Sequence, residues 1–453
     1  MSSATATCCC SGLVCEVKTH LCHLAAALFM TWAGSSVAAP LANTLPPELA
    51  NPSMEAVESH PRQGLPNFFA KLKHGEDVRI AYFGGSITAQ DGWRPKTLKW
   101  FQEQYPNAKV SQINAAIGGT GSDLGVFRCG QDVLAQHPDL VFVEFAVNDG
   151  GAPPEQIYRC MEGIVRQTWR ANPETDICFV YTLTGDMLET LQSGKYPRAA
   201  SAMEKLADYY GIPSIHMGVE VAKLEKAGRL IFKGEKPKTD EAKNELGDRI
   251  IFSPDSVHPY TDTGHQLYLE AIVRSLPAIQ AAGRPGPHSL GEPFVSDNYE
   301  KASIVPLARA HLSAGWSKLP ATNNLAKSFQ DRLPELWKAP PGATLTFRFR
   351  GTAAGVYDLL GPDCGKLTVT VDDLRPVSIA RFDSFCTYHR LGKFMAAETL
   401  ANDLHTVKIE VSAEALDKVK ILSQRNEKMD NPKRFDGTNW YAGSLLLIGD
   451  LVD

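Results

Sequence analysis

Residues 77–88 read DVRIAYFGGSIT. The run 77–83 is short, apolar and rich in β-branched and aromatic residues, the pattern of a buried strand, and it stops at Gly84 and Gly85. Two glycines let the backbone turn sharply without a Cβ clash, so Ser86 can stand exposed at the strand's carboxyl end. An ordinary Gly-Ser turn closing a strand has the same appearance. The GxSxG elbow is absent, because the residue two after Ser86 is Thr88.

Outward from this strand the chain alternates. Strands are predicted near Ile80, Val110, Phe142, Phe179 and Ile215, separated by helices over 93–104, 123–136, 154–170, 197–210, 219–227 and 261–281. Alternation of this kind implies a parallel sheet covered on both faces by right-handed crossovers. The stretch DLVFVEFAV (139–147) is nearly all apolar, as expected of an interior parallel strand. Glu144 inside it is expected to be a hydrogen-bonded structural carboxylate.

Three more segments carry chemistry. NAAIGGTGSD (114–123) holds Gly118, Gly119 and Gly121, which suits a loop that brings a backbone N–H to a developing oxyanion. It also suits a phosphate cradle or a flexible loop before a helix capped by Ser122 or Asp123, although neither the Walker nor the dinucleotide spacing is met. Asn148-Asp149-Gly150-Gly151 closes the 139–147 strand where open α/β sheets place ligands, and Asn and Asp are also common turn formers. In SPDSVHP, Asp255 precedes His258 by three, so a tight turn lets the carboxylate fix the imidazole tautomer a general base needs. A lone DxxH is equally half a metal site. His60, His74, His137, His216 and His265 lack HExxH or paired-ligand spacing, which argues against zinc, and His216 and His265 read as structural.

Taken in order, a serine, a glycine, an asparagine and a histidine preceded by aspartate resemble the four blocks of the SGNH (GDSL-type) hydrolase superfamily, over about residues 75–282. The resemblance implies a three-layer α/β/α, flavodoxin-like fold and serine esterase chemistry. It places the nucleophile on Ser86, the acid and base on Asp255 and His258, and the oxyanion donors on the Ser86 and Gly119 N–H groups and Asn148. No cofactor and no metal are implied. Gly85 stands where the GDS motif has Asp, and Ile87 where it has Leu. Trp93 and Arg94 either border the acyl or glycan pocket or face the core.

At 453 residues the chain is too long for a single core. A hydrophobic share of 43% with 21% charged is ordinary for a globular protein, and the net charge of −5 against 46 basic residues leaves no basic stripe for nucleic acid. Residues 1–39, with the apolar stretch LAAALFMTWAGSSVAA and small residues at Val37-Ala38-Ala39, read as a secretory signal rather than a stable membrane anchor. A secreted or periplasmic protein is expected. Residues 40–74 form an N-terminal extension, 75–282 the catalytic domain and 283–343, opening with the Gly- and Pro-rich GRPGPHSLGEP, a linker and connecting segment. From 344 to 453 period-two runs predict an antiparallel β-sandwich of jelly-roll type. The charged run 233–248 is a solvated surface or a substrate lid. Trp440, Tyr441, Tyr388 and His389 offer either a sugar-stacking face or core packing.

Five cysteines remain after the leader: Cys129, Cys160 and Cys178 are expected as buried thiols, and Cys364 with Cys386 as the pair to bridge if the protein is exported. The expected activity is hydrolysis of short acyl esters, acetyl above all, on a small ester or an acetylated polysaccharide. A lipase or thioesterase, a glycan O-acetyltransferase and a non-catalytic carbohydrate-binding protein are the alternatives.

Overall fold

The computed structural model describes residues 45–453, so the leader read in 1–39 lies outside the described residues. Two sheets organise the chain. The first contains β1 (Ser59–His60), β2 (Val78–Gly84), β3 (Val110–Asn114), β4 (Leu140–Glu144), β5 (Asp176–Tyr181) and β6 (Ser214–His216), in the order β1-β6-β5-β4-β2-β3. All pairs are parallel except β1 with β6. Every residue of β4 and β5 is buried, as a strand covered on both faces requires. Helices Trp93–Gln104, Ser122–Asp132, Pro154–Ala171, Arg198–Tyr210 and Gly264–Ala281 alternate with these strands and complete the three α/β/α layers. A separate parallel pair, β7 (Leu230–Lys233) and β8 (Ile250–Ser253), leads into the DxxH loop.

The order of strand addition reverses between β3 and β4, since β2 lies between them in the sheet. That switch point lies at the carboxyl ends of β2 and β4, the position at which open α/β sheets place ligands, and Ser86 and Asn148 follow these strands.

The second sheet is antiparallel and ten-stranded. Its members are β9 (Ala302–Pro306), β10 (His311–Leu312), β11 (Ser317–Lys318), β12 (Trp337–Ala339), β13 (Thr344–Leu360), β14 (Lys366–Val371), β15 (Val377–Ala380), β16 (Arg390–Ala397), β17 (Asp403–Val411) and β18 (Trp440–Val452). β13 pairs with β17 along its first half and with β16 along its second, while β18 follows it across a bulge at Gly351/Ala353. One long strand therefore serves both layers of a sandwich-like body. β14 and β17 alternate buried and outward residues, as their period-two sequence requires. The segment 283–343, read as connecting chain, contributes β9 to β12: β9 pairs with β18, β10 with β13, and β12 with β18.

Both sheets share a core. Tyr357, Leu359, Tyr441 and Leu446 of the second pack in one buried cluster with the residues of the first. At that junction the buried guanidinium of Arg128 lies 4.5 Å from the Phe83 ring centre and pairs with Asp132 at 3.0 Å, and Arg332 reaches Asp132 at 3.2 Å. Burial of the arginine is tolerable because the charge is paired and also donates to the Ala115 carbonyl at 2.5 Å.

Candidate active site

Gly85 leaves β2 in an extended conformation, and Ser86 opens a single helical turn, Ser86–Ala89. Thr88 holds that turn by donating its hydroxyl to Glu144 Oε2 at 2.8 Å, while Thr182 Oγ1 donates to Glu144 Oε1 at 2.8 Å. Glu144 is thus the structural carboxylate expected, and burial pushes it up to about 7 against the bonds from Thr182, Thr88 and the Gly85 N–H. Arg94, buried, donates to the Thr88 carbonyl at 3.2 Å and to Gln112 Oε1 at 2.7 Å, and Trp93 is fully buried. Both serve the core rather than a pocket rim.

The glycine loop is tied to the same strand end, since Ile117 N–H donates to the Gly84 carbonyl at 3.0 Å. A Cβ on Gly118 would lie 3.6 Å from Ser86 Cβ, so the loop passes directly beside the serine. Gly119 has φ +73°, in the left-handed region, with open space around it. Asn148 comes to the same point from the end of β4, and its carboxamide packs on Gly85 so closely that a Cβ there would be 2.0 Å from Asn148 Oδ1. A side chain at 85 would displace this carboxamide, so the glycine leaves Asn148 room beside the serine.

β8 delivers the DxxH loop to this point. Asp255 Oδ1 accepts the Val257 N–H at 2.9 Å, the His258 N–H at 2.7 Å and the Ser253 hydroxyl at 3.0 Å. Asp255 Oδ2 lies 2.8 Å from His258 Nδ1, and His258 Nε2 lies 2.9 Å from Ser86 Oγ. With Nδ1 donating to the carboxylate, Nε2 is left to accept from the serine hydroxyl. Partial burial pulls the Asp255 carboxyl upward, but the bonds from the His258 ring, the His258 and Val257 N–H groups and Ser253 outweigh it and hold it well below the usual carboxylate range. The Gly185 N–H bonds the Ser256 carbonyl at 2.9 Å and pins the loop from the β5 side.

Other expected residues lie elsewhere. His216 and His265 are buried, and burial pushes them down to about 3 and about 4; His265 Nδ1 accepts the Trp93 N–H at 3.1 Å. Trp440 is fully buried with its indole N–H on Asp358 Oδ2 at 2.9 Å, and Tyr441 is 5% exposed, so neither can stack a sugar. Tyr388 is exposed. Cys364 and Cys386 are free, which overturns the expected bridge: Cys364 Sγ points to the Leu359 carbonyl and Cys386 Sγ to Asp383 Oδ1. Asp363, Cys364 and His389 bring their ligand atoms within 4.8 Å of one another. Both Asp363 oxygens are already hydrogen-bonded, one to His389 and the other to Tyr441 and Asn439.

Sequence reasoning missed Asp149. Its Oδ1 accepts the Ser122 N–H at 2.9 Å and so caps the Ser122–Asp132 helix, whose own N-cap residue is Gly121; neither Ser122 nor Asp123 fills that role. An Asp beside a glycine turn carries no mark of a helix 27 residues away.

Residues 82–267 match the model of the GDSL-like lipase/acylhydrolase family. In fold, the chain is similar to a two-domain esterase active on acetylated mannans, co-crystallized with mannopentaose, with a TM-score of 0.65 and 21% identity over 87% of this chain and 97% of that one. A second crystal structure of a two-domain esterase active on acetylated mannans gives 0.64 and 20% over the same shares. Among curated proteins, none matches the chain.

Proposed function

We propose that this chain, whose residues 82–267 match the GDSL-like lipase/acylhydrolase family, is a secreted serine esterase removing short acyl groups, acetyl above all, from a polysaccharide. The observation that carries the mechanism is the hydrogen-bonded line from Ser86 Oγ to His258 Nε2 at 2.9 Å and from His258 Nδ1 to Asp255 at 2.8 Å. In this reading His258 takes the Ser86 proton as Oγ attacks the ester carbonyl. Asp255, held ionised, steadies the imidazolium that forms. The oxyanion develops between the Ser86 and Gly119 N–H groups and the Asn148 carboxamide. Protonation of the leaving sugar oxygen by His258 gives the acyl-enzyme, and a water deprotonated by the same imidazole releases the carboxylic acid.

The polysaccharide is suggested by the two-domain esterase of similar fold, which is active on acetylated mannans. The half-exposed Ser86 and His258 suit an acyl group on a long chain better than a buried one. Secretion is supported by the leader in the sequence. Among the described residues no helix is long and apolar enough to cross a membrane. The test is acetate release from a panel of acetylated polysaccharides, acetylated mannan included, beside Ser86→Ala. Release from one glycan that Ser86→Ala abolishes is expected; equal release by Ser86→Ala would overturn the assignment. Asn148→Ala should lose on the order of 100-fold in kcat without unfolding.

A further inference from the structure

We propose that Lys393, on β16 of the second sheet, is a positioning residue for the oxyanion loop: its ammonium pairs with Asp123 and so offsets the negative charge beside Asp149, the carboxylate that ties the Gly119 loop to the Asn148 loop. The inference rests on the reading of Gly119 and Asn148 as oxyanion donors.

The geometry is a short relay. Lys393 Nζ lies 2.8 Å from Asp123 Oδ2, and its side chain is only 19% exposed. Asp123 occupies the first turn of the Ser122–Asp132 helix, two residues after Gly121. A Cβ at Gly121 would be 2.2 Å from Asp149 Oδ1 and 3.1 Å from Asp123 Oδ1, so the two carboxylates converge on one glycine. Asp149 is buried; its Oδ1 accepts the Ser122 N–H, and its Oδ2 is buried with no hydrogen-bond partner. Two acids facing each other across a buried turn repel, and a carboxylate with one unsatisfied oxygen is costly to keep ionised.

A cation is what the arrangement lacks within the first sheet, and the second sheet supplies it. Burial pushes Asp149 up to about 7, the Ser122 bonds and the charge of Lys393 pull it back, and Asp123 adds to the rise. Lys393 is therefore felt at Asp149 as well as at Asp123. Asp149 is bonded to Asn148 through the chain and to the Gly119 loop through Ser122. Fixing Asp149 sets the spacing of two oxyanion donors that no direct hydrogen bond joins. Lys393 itself touches neither substrate nor the reacting atoms.

The experiment measures kcat and KM on p-nitrophenyl acetate for Lys393→Met, Lys393→Arg and the double variant Lys393→Met with Asp123→Asn, beside Asn148→Ala. Lys393→Met is expected to lower kcat by about 10-fold, a fraction of the roughly 100-fold or greater loss of a whole donor, with KM within about twofold. Lys393→Arg should restore most of the loss. The double variant should recover part of it, because Asp123 no longer repels Asp149. Wild-type kcat in Lys393→Met, a loss that Arg does not rescue, or no recovery in the double variant overturns the proposal. Circular dichroism checks folding; should Lys393→Met fail to fold, Lys393→Gln is read by the same criteria. An Asn148→Ala enzyme at the wild-type rate defeats the underlying oxyanion reading, whereas a crippled Asn148→Ala beside an unaffected Lys393→Met defeats only the role of Lys393.

Discussion

Gly85→Ala should disable the enzyme without loosening it. At φ −92° and ψ −154° the backbone of Gly85 is extended, so alanine meets no left-handed strain. The added methyl would lie 2.0 Å from Asn148 Oδ1, 2.8 Å from its Cγ and 3.3 Å from its Nδ2. Such distances cannot persist, and the atoms that must move belong to the end of an exposed side chain rather than to the core. The carboxamide swings away and its N–H₂ leaves the position proposed for the oxyanion. Loss of one such donor costs about 100- to 1000-fold in kcat, or about 2.7–4 kcal/mol of transition-state stabilisation, with KM little changed. Thermal unfolding should move by no more than a few degrees, the effect of roughly 1 kcal/mol or less. The assay is steady-state hydrolysis of p-nitrophenyl acetate with fluorophosphonate labelling of Ser86, run on Gly85→Ala, Asn148→Ala and the double variant. If both substitutions act through the same carboxamide, the double variant is no worse than either single one. A Gly85→Ala enzyme at wild-type kcat, or losses that multiply in the double variant, would refute the reasoning.

Asp255→Asn removes the acceptor that selects the His258 tautomer and should lower kcat by up to about 10⁴-fold while leaving the melting temperature nearly unchanged, because the carboxylate is half exposed; a loss below about 10-fold would count against the role. Glu144 and Asp149, both pushed up to about 7 by burial, hold protons more tightly folded than unfolded, so their contribution to stability is greatest at low pH and declines as pH rises from about 4 to about 7. Glu144→Gln should therefore flatten the fall in melting temperature between pH 5 and 8, by up to about 3 kcal/mol in unfolding free energy, and an unchanged slope would contradict the assignment. Cys129, Cys160, Cys178, Cys364 and Cys386 are buried and free, and should resist Ellman's reagent until the protein unfolds; a Cys364–Cys386 disulfide found by mass spectrometry would contradict the structure.

The parallel sheet was legible chiefly through β2, β4 and β5, apolar runs with helical segments between them, while period-two alternation after 344 marked the second sheet. Two of those runs, 345–352 and 355–360, are one strand in the structure: the non-alternating Gly351-Thr352-Ala353-Ala354 looks like a break but is absorbed by the bulge against β18. β9 to β12 escaped notice because they are two to five residues long, too short for a period to register, and exist through their pairing, β9 and β12 with β18, β10 with β13 and β11 with β12. Trp440 has the sequence signature of a surface aromatic as readily as of a core one; what decides is Asp358, 82 positions away, whose carboxylate accepts the indole N–H.

The site divides along the same line. Ser86, Asp255 and His258 announce themselves by local spacing, since each terminates a strand or sits in a turn whose chemistry is written within a few residues. What spaces the two proposed oxyanion donors is not local. Asn148 and Gly119 follow different strands, and the carboxylate between them, Asp149, caps a helix that begins after neither of its neighbours in sequence. In the proposed relay its neighbour Asp123 is paired by Lys393, which reaches it from a sheet that begins some 150 positions after Asp149. An electrostatic relay of this kind leaves no periodic or spacing signal, because each member is an unremarkable charged residue in its own segment. If the relay holds, the second sheet is part of the catalytic apparatus through one ammonium group, and an esterase core of this type stripped of that charge would need another way to keep two facing carboxylates beside its oxyanion loop.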